Sequence, residues 1–149
     1  MPLDKNNKPK LTLFSPDFEG GAELPLINHS IKAGFPSPAL DFMEYAIDLN
    51  KHLARNPLAT FYIKVDGNSM TDAGIDHGDL LVIDRSLEPA DGRIAICLID
   101  GDFTVKRLKL QTDCLYLMPE NPAYQPIKVT EDNQLVIWAI VTYVIKRVG

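Results

Sequence analysis

Cysteine is scarce in this sequence, tryptophan occurs once, and no apolar run is long. The two cysteines, Cys97 and Cys114, fit no metal-ligand spacing, so neither a metal nor another cofactor is expected. The longest apolar stretch, Leu135 to Ile145, falls far short of a bilayer span, which argues against a membrane partner. The opening MPLDKNNKPK has lysines but no apolar stretch behind them, unlike a secretory signal. With no export signal, a reduced, cytoplasmic setting is expected, and the sequon at Asn28-His29-Ser30 is chance. Basic residues are also in deficit: 15 Lys and Arg face 20 Asp and Glu, for a formal charge of −5. Such a balance argues against direct, specific gripping of duplex DNA, which usually takes a basic face. What is present is globular: 46% hydrophobic and 23% charged over 149 residues, about one domain's worth.

Composition shifts once, near residue 38. Six of the 11 prolines (Pro2, Pro9, Pro16, Pro25, Pro36 and Pro38) lie before that point. Proline removes amide donors and fixes φ, so this stretch cannot form a long helix. Residues 1–38 are therefore expected to be an extended N-terminal arm, anchored by Leu11, Leu13, Phe14, Leu24, Leu26 and Ile27. Residues 39–149 are expected to form the folded domain. Lysines and acids balance within residues 1–33, so the whole negative charge belongs to the remainder.

Helix is expected to be brief. Ser37 followed by Pro38 is an N-cap signature, and Asp48 can cap a second short turn through Leu53. Strands follow. Ala59, Phe61, Ile63 and Val65 alternate with Thr60, Tyr62 and Lys64, the period of a half-buried strand. Further strands are expected at Leu80 to Ile83, Arg93 to Ile99, Phe103 to Leu110, Leu115 to Met118 and Leu135 to Ile145. Asp100-Gly101 between two β-rich runs signals a hairpin. The expected class is mostly β, a compact sheet assembly with a short helical segment before it.

Chemistry could reside at Gly67-Asn68-Ser69-Met70, at the end of the first clean strand. Read alone, this is a turn. A hydrolase elbow needs a second glycine after the serine, where Met70 and Thr71 stand. His29, His52 and His77 each read more simply as surface residues than as partners in a triad. Lysine offers another base. Lys106 falls in phase with Leu108 and Leu110, with Arg107 and Lys109 opposite. On an apolar face its amine would lose its proton readily and could activate a serine hydroxyl. Alternatively it snorkels to water, and periodicity alone favours that reading.

Ala33-Gly34-Phe35-Pro36-Ser37-Pro38, Gly67-Asn68-Ser69-Met70, Gly78-Asp79 and Phe103-Thr104-Val105-Lys106-Arg107-Leu108 occur in that order. Together they resemble the UmuD-like branch of the self-cleaving proteins related to the LexA repressor, over about residue 33 to the C-terminus. That resemblance implies a compact β fold like those of LexA and signal peptidase. It implies Ser69 as nucleophile, uncharged Lys106 as general base, and Ala33–Gly34 as the bond cut. The backbone amide of Ser69, with that of Asn68, would be the oxyanion donor.

The resemblance further implies stimulation by the RecA filament on single-stranded DNA, self-pairing as a homodimer, and assembly with a UmuC-like Y-family polymerase. The output would be error-prone translesion synthesis in the SOS response to DNA damage. Two other readings stand beside it: a LexA-like or signal-peptidase-like protease acting on other chains, and a polymerase-binding module without catalysis.

Overall fold

The computed structural model describes residues 13–19, 21, 24–27 and 43–149. Ala33, Gly34, Ser37 and Pro38 lie outside the described residues, as do His29 and Leu11.

Two short strands come from the arm: β1 (Leu13–Phe14) and β2 (Leu24–Ile27). Strand β2 pairs antiparallel with β3 (Met43–Ile47), Leu24 opposite Ile47 and Ile27 opposite Met43. The Ala33–Gly34 bond therefore belongs to the connection between two paired strands. The helix start expected at Ser37-Pro38 lies outside the described residues, and Met43–Ile47, for which no local pattern predicted a strand, is held as one by its backbone partner β2. The arm is also held differently from expectation. Leu13, Phe14 and Leu24 are exposed, so backbone pairing rather than side-chain burial docks β1 and the start of β2.

Asp48 caps the helix α1 (Leu49–Leu53), accepting from the Lys51 amide, as its sequence position predicts. The main sheet follows: β4 (Thr60–Lys64), β5 (Leu80–Asp84), β6 (Ile94–Ile99), β7 (Asp102–Leu110), β8 (Leu115–Met118), β9 (Ile127–Val129) and β10 (Leu135–Ile145). Its order is β1-β4-β5-β10-β6-β7-β8-β9, with every neighbouring pair antiparallel. The expected mostly-β class holds. Strands β6 and β7 meet through Asp100 (φ 48°) and Gly101 (φ 85°). Two successive positive φ values make the tight turn that matches strand twist, hence Asp-Gly.

Strand β10 coils the sheet. It loses register between Ile137 and Ala139 against β6, and between Val141 and Tyr143 against β5, leaving Trp138 and Thr142 as the extra residues of two bulges. A bulge bends its strand and increases twist. The consequence is that β4 and β7, four places apart in the sheet order, face one cleft. Trp138 occupies the junction, with its ring 6.1 Å from Phe61 on β4 and 6.2 Å from Phe103 on β7. Ile63, Val65, Met70, Ile75, Leu81, Ile83, Ile96 and Ala139 form the buried cluster beneath the cleft. A second cluster covers the sheet's other face through Ala95, Cys97, Ile99, Leu108, Leu117 and Ile140.

Candidate active site

The chain leaves β4 through Val65, whose amide donates to the Asp79 carbonyl at 2.8 Å while its own carbonyl accepts from Gly78 at 2.9 Å. Gly67 then turns at φ 97°, a conformation costly for any side chain. Its amide donates to Nδ1 of His77 at 3.1 Å. Met70 plugs the loop into the core at 2% exposure, and its carbonyl accepts from Ala73 and Ile75. Ser69 is thereby fixed at the rim of a cleft of about 240 Å³, lined also by Ile63, Gly67, Leu81, Phe103 and Val105.

Lys106 arrives from β7. Strand β8 meets β7 only at Arg107–Leu110, so among the described residues the outer edge of β7 is bare from Asp102 to Lys106. Lys106 shares a strand face with Thr104 and Leu108, and it is buried. Its companion Leu110 is exposed, so the apolar phase inferred from sequence ends at Leu108. The Lys106 amine lies 2.9 Å from Ser69 Oγ, 2.7 Å from Thr104 Oγ1 and 3.1 Å from the Val105 carbonyl oxygen.

A neutral amine can make these three contacts, as can an ammonium with its three donors. An uncharged NH2 has two hydrogens and one lone pair. The Val105 carbonyl can only accept, Thr104 Oγ1 can take the second hydrogen, and the lone pair is left for the Ser69 hydroxyl. Among the described residues no carboxylate lies within ion-pair distance of Lys106. Burial lowers its pKa from the usual lysine value, and Cys97 would oppose this, only in part, where it is ionised. The Cys97 thiol is itself pushed up to about 11 by burial and so stays neutral near pH 7.

The loop is braced from behind by residues that sequence patterning missed. The Glu120 amide donates to the Ser69 carbonyl at 2.8 Å, and the Glu120 carbonyl accepts from Asp72 at 2.7 Å. Arg107, next to Lys106, pairs through its guanidinium with the Glu120 carboxylate and donates to the Gly92 carbonyl at 2.6 Å. Asn121 Nδ2 donates to the Asn68 carbonyl at 2.8 Å. Among the described residues none accepts from the Asn68 or Ser69 amides. Thr104 was findable, since it stands two residues before Lys106 on the same strand face; Glu120 and Asn121 sit in a turn with no periodic signal.

The histidines lie elsewhere in their bonding. His77 is exposed near Asp66 at 3.4 Å, and His52 is exposed on α1. Neither bonds to Ser69. Among the described residues no cluster of His, Cys, Asp and Glu is arranged to hold a metal. Among them, too, no helix is long and apolar enough to cross a membrane.

Comparison with known proteins agrees with this architecture. The Peptidase S24-like family model matches residues 25–142. Protein SamA of Salmonella typhimurium is 42% identical over 138 residues, covering 92% of this chain and 96% of its own. Protein ImpA of Escherichia coli is 41% identical over 129 residues, 83% of either chain. The LexA repressor of Alcanivorax borkumensis is 38% identical over 130 residues, which are 87% of this chain but 62% of that longer one. The match to SamA spans nearly all of both chains, whereas the match to the repressor spans only part of that longer protein. The chain belongs to the Peptidase S24-like family of hydrolases, and within it to the UmuD-like proteins.

Proposed function

We propose that this protein cuts its own chain between Ala33 and Gly34, with Ser69 as nucleophile and Lys106 as general base. The observation that carries the reading is the 2.9 Å approach to Ser69 Oγ of a buried Lys106 amine that has no carboxylate partner among the described residues. In the first step Lys106 Nζ takes the Ser69 hydroxyl proton as Oγ attacks the Ala33 carbonyl carbon. The resulting oxyanion is met by the Ser69 amide, with the neighbouring Asn68 amide as second donor. The Lys106 ammonium then protonates the Gly34 nitrogen, the peptide bond breaks, and an ester joins Ser69 to Ala33. Water, deprotonated by the now neutral lysine, hydrolyses that ester and restores Ser69.

The cleft suits such a substrate. The β7 edge left unpaired among the described residues and the end of β4 offer backbone groups to an extended segment, and small residues at the bond avoid the cleft walls. The scissile bond lies in residues 28–42, tethered at both ends by β2 and β3, so its local concentration is high. Cleavage severs the covalent link between the arm, residues 1–33, and the domain that follows, leaving strand pairing to hold β1 and β2. Stimulation by the RecA filament on single-stranded DNA is read as favouring the state with the bond seated. The trimmed product pairs with itself and joins a UmuC-like Y-family polymerase for translesion synthesis in the cytoplasm. The acidic balance of residues 34–149 suits a protein that binds proteins and leaves DNA to its partner.

Purified protein incubated with RecA filaments, or alone at alkaline pH, tests this by mass spectrometry. One cut is expected, between Ala33 and Gly34, abolished by Ser69→Ala and by Lys106→Ala. A cut elsewhere, or one that persists in Ser69→Ala, overturns the reading.

A further inference from the structure

We propose that Asn121 is a positioning residue that aims the Ser69 N–H into the cleft as an oxyanion donor. The inference rests on the self-cleavage reading above. The Asn68 carbonyl and the Ser69 N–H belong to one peptide unit, which is trans, so they point in opposite directions. Asn121 Nδ2 holds the Asn68 carbonyl at 2.8 Å. Ser69 lines the cleft and Asn121 does not, so the tie draws the carbonyl away from the cleft and turns the amide hydrogen toward it. That hydrogen has no acceptor among the described residues.

The orientation of the Asn121 amide is fixed by its surroundings. Its Oδ1 accepts from the Ala123 amide at 2.9 Å, and only Nδ2 can serve the Asn68 carbonyl. The reversed side chain would set donor against donor and acceptor against acceptor. The adjoining Glu120 amide fixes the next peptide in the same way, by holding the Ser69 carbonyl at 2.8 Å. One short segment after β8 thus grips two successive carbonyls of the nucleophile loop. Without the Asn121 tie, the Asn68–Ser69 peptide is free to rotate, and an oxyanion donor that must first be oriented contributes less.

Asn121→Asp isolates the effect. The carboxylate keeps the side chain's shape and still accepts from Ala123, but it cannot donate to Asn68. Full-length protein at alkaline pH, assayed for its first-order cleavage rate across pH, is expected to be slowed roughly 10- to 100-fold, below the loss for deleting a donor outright. The pH inflection set by Lys106 is expected to stay in place, and Asn121→Ala to be slowed similarly. A peptide boronic acid ending at the position of Ala33, which forms a tetrahedral adduct on serine, is expected to bind the Asp variant more weakly by a similar factor.

Wild-type cleavage by Asn121→Asp overturns the proposal, as does slowing with unchanged boronate affinity or with a displaced pH inflection. Ser69→Ala assayed in parallel separates the two ideas. Cleavage persisting there removes the underlying reading, whereas a silent Ser69→Ala beside a fully active Asn121→Asp removes only the role of Asn121.

Discussion

Ala95 and Lys106 stand directly opposite each other in the β6–β7 ladder, and Ala95 is wholly buried. Side chains of such a pair share a face with their Cβ atoms about 4.5–5.5 Å apart. A methyl group there leaves room for the lysine stem to reach Ser69. Ala95→Leu is expected to displace the amine and slow self-cleavage about 100-fold, the loss expected for a misplacement of about 1 Å. Overpacking would cost about 1–3 kcal/mol of stability in addition. Ala95→Gly should keep most of the rate. Paired cleavage and urea-denaturation curves check this, and full activity in the leucine variant would count against the packing argument.

Because burial lowers the Lys106 pKa, self-cleavage in the absence of RecA should rise with pH and level off below the usual lysine range. The same burial bears on stability. Between the folded and unfolded pKa of Lys106 the unfolded chain binds more protons, so stability rises with pH through that window. Below it, both states carry the charge and the folded state bears the whole cost of burying it. Lys106→Met is therefore expected to raise the unfolding midpoint at pH 7, with a gain that shrinks as pH climbs toward the ordinary lysine value. Denaturation at a series of pH values checks the trend. A gain that grows with pH would contradict a buried amine.

Local signals account for what the sequence disclosed. The β4 strand, the Asp48 cap and the Asp100-Gly101 turn each depend on residues close in the chain, and each is found in place, although Thr60, expected on the polar face of β4, is buried. Strand β3 was missed because its partner lies across residues 28–42, beyond any local pattern. The bulges at Trp138 and Thr142 are hidden within a uniformly apolar run that marks a strand but not its breaks. Periodicity could put Lys106 on an apolar face but not choose between burial and snorkelling. That choice depends on Ser69, 37 residues away, and on Thr104. The peptide planes of the nucleophile loop were illegible for the same reason, since Glu120 and Asn121 act from another turn.

Lys146, just past β10, bonds both Asp76 and Asp79 in the turn that supports the nucleophile loop. Burial pushes the Asp79 pKa up, but the Lys146 hydrogen bond and charge, with the Asp76 amide, outweigh it and leave the value below 3.8. A carboxylate depressed in the folded state contributes stability that is present above the unfolded value and lost as pH falls through the folded one. Lys146→Met should therefore lower the melting temperature at pH 7, and the gap to the parent protein should close in acid below the ordinary carboxylate range. Thermal melts at neutral and acid pH measure this. An equal gap at both would place the contribution of Lys146 in packing instead of charge.

Trp138 is the single tryptophan, and it ties the two walls of the cleft through Phe61 and Phe103 while the Arg85 guanidinium lies 4.4 Å from its ring centre. Trp138 is half-buried, so Trp138→Ala should cost less than the roughly 3–5 kcal/mol of a truncation in a fully buried core. It should also slow cleavage in molecules that remain folded, because β7 carries Lys106. Trp138→Phe keeps an aromatic at the bulge and is expected to lose less on both counts. Arg85→Ala removes only the cation above the ring, worth about 0.5–1 kcal/mol at an exposed site, and should leave the cleavage rate unchanged. Intrinsic fluorescence then reports the junction directly: Arg85→Ala should alter emission without altering activity. If it slows cleavage as much as Trp138→Ala does, the aromatic bridge is not what holds the walls together.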